Sequence, residues 1–146
     1  MIKLAGGPNI LVRVAGSRVS LALYSSFACE IEHPLKGEIL DWLHAYGHGK
    51  TLKSPFLPGG SKFATKVLNR LFDVSWGTTK TYGEVASLIG QPKAARAVGT
   101  ACGKNPYPLF IPCHRILPSS GALGNYTPDP QIKKELLRFE GVTLKS

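Results

Sequence analysis

Asn105-Pro106-Tyr107-Pro108-Leu109-Phe110-Ile111-Pro112-Cys113-His114-Arg115-Ile116 is the stretch on which the reading of this chain turns. Its prolines stiffen a loop around the apolar run Leu109-Phe110-Ile111. A run of that length between prolines reads as a short buried strand, sharply stopped. Cys113 and His114 then stand where a buried element meets a loop, a rigid support for reactive groups. A free thiol titrates near ~8.5, so little of it is thiolate at neutral pH, and a neighbouring imidazole raises the nucleophilic fraction. Adjacent residues of a strand point to opposite faces, so His114 would reach the sulfur through a turn or a bridging water. The plainer alternative is a buried cysteine that serves as a small hydrophobe.

Working outward, an apolar content of 43% with only 18% charged residues indicates a globular chain with a real core, not a disordered one. The net charge of +9 is uneven: residues 1–60 carry six Lys/Arg against four Asp/Glu, and residues 61–146 carry twelve against five. The cationic surplus therefore sits with the Cys-His stretch, where an anionic polymer would need it; solubility alone is the competing explanation. Cys29, Cys102 and Cys113 are odd in number and irregular in spacing, which argues against a disulfide framework and for a reducing compartment. With no long apolar run and no signal-peptide pattern, the expectation is a soluble cytoplasmic protein that meets no membrane.

Ile10–Val14 and Arg18–Tyr24 read as a hairpin around Ala15-Gly16-Ser17, with Val19, Leu21 and Leu23 on one face. Pro34 opens a helix carrying Leu35, Ile39, Leu40 and Leu43, which Gly47 stops. Cys29, His33, His44 and His48 lie at metal-like spacing, but Gly47 breaks the helix before His48 and no Cys-x2-Cys pair is present; scattered surface histidines, and no metal, are expected. Gly49 to Gly60 reads as a linker, dividing a small α/β scaffold (1–57) from a second unit (58–146). There Ser61 caps a helix whose core face is Phe63, Val67, Leu68, Leu71 and Phe72.

Thr81-x-x-Glu84 is a capping box, so a helix begins at Tyr82; Pro92 starts another, built from Ala94, Ala95, Ala97, Gly99 and Ala101. The pair reads as helix-turn-helix. Lys93, Arg96 and Lys104 are its few long side chains. A second helix stripped to Ala and Gly is thin enough to press into a minor groove nominally about 6 Å wide, with little sequence discrimination; tight packing against another helix is the competing explanation. Ser119 to Thr127 reads as a flexible loop able to close over a bound group. Asp129-Pro130 starts a last helix with Ile132, Leu136 and Leu137, ending near Glu140. A carboxylate in a last turn opposes the helix dipole, and a residue that breaks a local rule is a candidate for function.

Pro112-Cys113-His114-Arg115, preceded by Asn-Pro-x-Pro-Leu-Phe-Ile and followed by Ser-Gly-Ala-Leu-Gly-Asn-Tyr, resembles the O6-alkylguanine-DNA alkyltransferase family. Thr81-Tyr-Gly-Glu-Val-Ala86, Ala94-Ala-Arg-Ala-Val-Gly99 and Leu136-Leu-Arg-Phe-Glu-Gly141 complete four ordered blocks across residues 59–141. The resemblance implies a shortened, ribonuclease H-like α/β N-terminal unit and a mostly α C-terminal domain with a winged helix-turn-helix-like motif. It implies an irreversible, stoichiometric transfer of the alkyl group of O6-alkylguanine, and of O4-alkylthymine as a second substrate, from double-stranded DNA to Cys113. The protein would act as a monomer, without cofactor. His114 would act on the thiol through a water, Glu140 would orient His114, and Asn105 would brace the recognition helix. Arg96 would fill the place of the flipped base; Tyr82, Ala95 and Lys93 would contact DNA. Tyr126, Thr127, Ile116 and Tyr82 would line the base pocket. Two departures bear on this. Pro128-Asp129 stands where the family has two glycines, which points to a narrower pocket, and Cys102 occupies a pocket-facing position usually filled by an apolar side chain. The rivals are a lesion-binding helix-turn-helix protein, whose known members lack the thiol, and a thiol hydrolase indifferent to DNA.

Overall fold

The computed structural model describes residues 1–126 and 129–144, in a mixed α/β arrangement. Strand β1 (Ile2–Lys3) is followed by β2 (Ile10–Ala15) and β3 (Arg18–Leu23), an antiparallel hairpin in which Val12 faces Leu21 and Val14 faces Val19. Because Ala15 pairs with Arg18, the connection is the two residues Gly16-Ser17 and not three. Gly16 takes φ +58°, the left-handed conformation that such a tight turn asks of its first residue. β4 (Ala28–Glu32) runs parallel to β2, giving the order β1-β4-β2-β3. β2, flanked on both sides, buries Ile10, Leu11, Val12 and Val14, whereas Leu23 at the end of the outer strand is exposed, contrary to the alternation.

Helix α1 (Lys36–Gly47) covers the sheet with Ile39, Trp42, Leu43 and Tyr46, each burial contributing about 1.5–3 kcal/mol. Leu35 and Leu40, expected in that stripe, are only half-buried. The set of possible zinc ligands is dispersed. Cys29 is sealed in the core, His33 lies edge-on to Phe56, and His44 and His48 are exposed.

Helix α2 (Lys62–Leu71) starts where the Ser61 hydroxyl accepts from the Ala64 N–H at 3.1 Å, and it buries Val67, Leu68 and Leu71. Phe72, placed on the core face by periodicity, lies beyond the last helical residue and is exposed. After β5 (Lys80–Thr81), α3 (Tyr82–Leu88) opens on the full capping box. The Glu84 N–H donates to Thr81 Oγ1 at 3.0 Å and the Thr81 N–H donates to Glu84 Oε1 at 2.9 Å. α4 (Ala95–Gly103) begins three residues later than Pro92 suggests, because the connection continues through Ala94, which caps without a side-chain bond. α2, α3 and α4 share a second core that includes Val85, Ala86, Val98 and Ala101.

The central stretch is not a strand. Leu109 adopts φ +77° and the chain turns; Cys113–Arg115 forms one 3-10 turn, and only Ile116–Leu117 (β6) pairs, parallel to β5. Pro106, Pro108 and Pro112 have no N–H to give to a ladder. The apolar run is buried for another reason: Leu109 and Phe110 enter the first core while Ile111, Cys113 and Ile116 enter the second. Val19 of β3 donates to the Pro106 carbonyl at 2.9 Å, tying the sheet to this turn. Helix α5 (Pro130–Phe139), capped by Asp129, returns Ile132 and Leu136 to the first core. The linker is packed as well, with Phe56 stacked on Tyr107 at 4.5 Å.

Candidate active site

Cys113 opens the 3-10 turn at the base of a cavity of about 450 Å³, walled by Tyr82 of α3, Arg96 and Gly99 of α4, Pro108 and Tyr126. Asn105, directly after α4, fixes the sulfur. Its oxygen accepts from the Tyr107 N–H at 3.0 Å, which orients the amide, and its nitrogen donates to the Ile111 carbonyl at 3.0 Å and to Cys113 Sγ at 3.2 Å. Burial pushes the Cys113 thiol above its ordinary value. The Asn105 amide and the Lys133 ammonium pull the other way, since each favours a thiolate. A charge that forms here is thus met by prepared donors and not by bulk water.

His114 and Glu140 are wholly buried side chains 2.7 Å apart, Nε2 to Oε2. Burial pushes Glu140 upward, yet His114 and Arg115 outweigh it and hold the carboxyl at about 2. Burial likewise holds His114 below its usual value, against the pull of Glu140, so the imidazole is neutral. A carboxylate only accepts, so Nε2 carries the proton and Nδ1 is a bare lone pair. That Nδ1 is buried and has no protein partner among the described residues. It is the atom equipped to take a proton.

Three residues of this site carried no role in the sequence reading, where Arg115 entered only as part of a motif and Tyr46 and Lys133 not at all. Arg115 grips Glu140 through Nε and Nη2 at 2.7 and 3.2 Å and reaches the Val74 carbonyl at 2.8 Å. Tyr46, 94 positions away in the chain, donates to Glu140 Oε2 at 2.6 Å. Lys133 is fully buried with no carboxylate partner among the described residues; its Nζ lies 3.5 Å from the Asn125 carbonyl and 5.9 Å from the Tyr82 ring centroid. The available signal was position, because Lys133 falls three and four residues before Leu136 and Leu137, on the apolar stripe of α5.

Of the other expected site residues, Tyr82, Ala95, Arg96 and Tyr126 all reach the cavity wall. Ile116 does not: it is fully buried behind Cys113 in the second core. Lys93 is exposed in the turn before α4, off the wall, and Thr127 and Pro128 lie outside the described residues. Burial, reinforced by the neighbouring Cys102 and Cys113, raises Tyr82 to about 12 and keeps it a hydrogen-bond donor. Cys102 also lines the cavity; burial drives its thiol far above the ordinary range, and, unlike Cys113, it receives no side-chain hydrogen bond among the described residues. The chain folds over the cavity through Gly124, at φ +71°, where a Cβ would stand 2.8 Å from Pro118. α4 turns Val98, Ala101 and Cys102 inward and leaves Arg96, Ala97, Thr100 and Gly103 outward, so one face packs and the other is small. No helix among the described residues is long and apolar enough to cross a membrane.

A thiol braced by an amide, adjacent in the chain to an imidazole–carboxylate pair and facing a cavity walled in part by a slim helix, is equipped for thiol chemistry. Residues 62–142 match the family model described as 6-O-methylguanine DNA methyltransferase, DNA binding domain. The chain is 43% identical over 101 residues to the methylated-DNA–protein-cysteine methyltransferase of Methanosarcina acetivorans, covering 68% of this chain and 65% of that one. It is 42% identical over 109 residues to the human protein of the same name, with 68% and 53% covered. Among solved structures, Mycobacterium tuberculosis OGT in complex with DNA superposes with a TM-score of 0.68 at 30% identity, covering 89% of this chain and 92% of that one. S. pombe Atl1 in complex with damaged DNA containing O6-carboxymethylguanine gives 0.54 at 31% identity, over 61% and 84%. The chain belongs to the O6-methylguanine-DNA methyltransferase family.

Proposed function

We propose that this protein repairs DNA by direct reversal, moving the alkyl group of O6-alkylguanine in duplex DNA onto Cys113, once per molecule. Two observations support the reading: His114, next to Cys113 in the chain, has a bare, buried Nδ1, and the Cys113 sulfur is already held by Asn105. Through a bridging water, Nδ1 takes the Cys113 proton while Glu140 stabilises the imidazolium that results. The thiolate attacks the alkyl carbon, a C–S bond forms as the C–O6 bond breaks, and guanine leaves with the electron pair and is then protonated. The thioether product offers no leaving group, so the thiol is not regenerated.

A stacked guanine cannot reach a sulfur at the base of a cavity, so it must leave the duplex, at a cost of a few kcal/mol. The slim outer face of α4 suits the minor groove of double-stranded DNA, with Arg96 entering the vacated space and Ala95 and Lys93 against the backbone. Tyr82 and Tyr126 flank the extruded base, and Ile116 supports the site from behind. In this account α3 and α4 form a helix-turn-helix of the winged type, residues 58–146 are the catalytic and DNA-binding part, and residues 1–57 are a ribonuclease H-like scaffold. The protein acts as a monomer wherever the cell keeps its DNA.

The test is mass spectrometry of the intact protein after incubation with duplex carrying O6-methylguanine. The expected result is one methyl of added mass, absent from Cys113→Ala, which still binds the duplex. Unchanged mass in the wild type overturns the reading. Cys113 separates this function from passive lesion binding, which needs no thiol.

A further inference from the structure

Tyr46 lies near the end of α1, in the unit whose sequence carries none of the family's motifs, yet its phenol ends on the carboxylate that holds His114. We propose that Tyr46 is a positioning residue for alkyl transfer: by holding Glu140 Oε2 it sets the orientation and proton affinity of His114. The inference rests on the transfer chemistry proposed above.

A buried phenol needs an acceptor, and a backbone carbonyl would have served for packing alone. Instead, one oxygen receives both Tyr46 Oη at 2.6 Å and His114 Nε2 at 2.7 Å, with Arg115 Nη2 at 3.2 Å. Each donor lowers the proton affinity of that oxygen. Glu140 therefore stays anionic while His114 accepts a second proton at Nδ1, and the Nε2 proton stays on the ring. Burial and the adjacent Glu140 carboxylate lift the Tyr46 phenol well above its usual value, so it remains a donor at any working pH. The other charged or titratable groups facing this cluster are Arg115 beside His114, Lys133 of α5, and Tyr126. The ring is fixed by Trp42, stacked at 5.3 Å, by Trp76 at 4.9 Å and by Phe139 at 5.5 Å. The packing holds the phenol in place, and its hydrogen bond links the first unit directly to the carboxylate that holds His114.

Tyr46→Phe keeps the ring and removes only that bond. Without it Glu140 becomes more basic and draws harder on the Nε2 proton, so His114 holds a second proton up to a higher pH. Single-turnover transfer from methylated duplex should then lose rate on acidification about half a unit to one unit earlier than in the wild type, with duplex affinity unchanged. Trp42→Phe thins the same aromatic cluster without touching Glu140 and should leave the pH profile in place. NMR titration of the His114 imidazole in both proteins gives a readout independent of transfer, and the same upward shift is expected. If the wild type transfers no alkyl group the proposed function fails, while the titration still decides the hold on His114. Equal titrations in wild type and Tyr46→Phe, or the same displacement in Trp42→Phe, overturn the inference.

Discussion

Glu140→Gln keeps the side-chain shape and removes one charge from a position where three residues converge. In the wild type the carboxylate receives Tyr46, His114 and both Arg115 nitrogens, with no solvent contact of its own. A glutamine offers one acceptor oxygen and turns an NH2 toward donors, so at least one of the three partners loses its acceptor and Arg115, itself 7% exposed, loses its counter-charge. Breaking a buried ion pair from one side costs about 3–5 kcal/mol. The depressed carboxyl also makes that contribution depend on pH. Because the folded value is depressed, that contribution is complete above 4.5 and is lost as pH falls through about 2. Urea denaturation of wild type and variant should therefore differ by about 3–5 kcal/mol at pH 7. The gap should narrow once the pH drops below 4.5 and close near 2. Transfer by the folded variant should slow by about 10²-fold or more, because the imidazole loses its orienting anion, while DNA affinity is retained. A pH-independent gap, or a loss under about 1 kcal/mol, refutes the ion-pair account. An undiminished transfer rate refutes the relay.

Arg96→Ala should depress repair of duplex far more than reaction with free O6-alkylguanine base, and an equal fall in both refutes the flipping role. Asn105→Ala removes the N–H donor to the sulfur, so alkylation of Cys113 by iodoacetamide near neutral pH should slow by about tenfold, the equivalent of one charged hydrogen bond; an unchanged or faster rate counts against it. Lys133→Met removes the cation that favours the thiolate, so transfer should fall at neutral pH and recover as pH rises, whereas a uniform loss would mean a packing role alone.

The chain's short-range signals were legible because they act over one turn of backbone. Ser61, the Thr81–Glu84 box and Asp129 each marked a helix start through a hydrogen bond spanning two or three residues. The hairpin followed from alternation, and the adjacency of Cys113 and His114, with the family resemblance around it, pointed to thiol chemistry. Where the reading failed, a local pattern had two solutions. Leu109-Phe110-Ile111 is as apolar in a turn as in a strand, and only the presence of two separate cores to fill made the turn the better one.

By itself, then, the sequence determined the capped helix starts at Ser61, Thr81 and Asp129, the basic surplus of the second half and the candidate for the nucleophile. The surroundings of that nucleophile were left to the tertiary fold. Tyr46 and Glu140 are 94 positions apart, Arg115 and Val74 are 41 apart, and hydrogen bonds over such separations impose no periodicity on the residues between them. Lys133 shows in the sequence only as a lysine on an apolar stripe, and what it faces is decided when α5 packs. Which charges are paired, and which lone pair is bare, depends on where folding removes water.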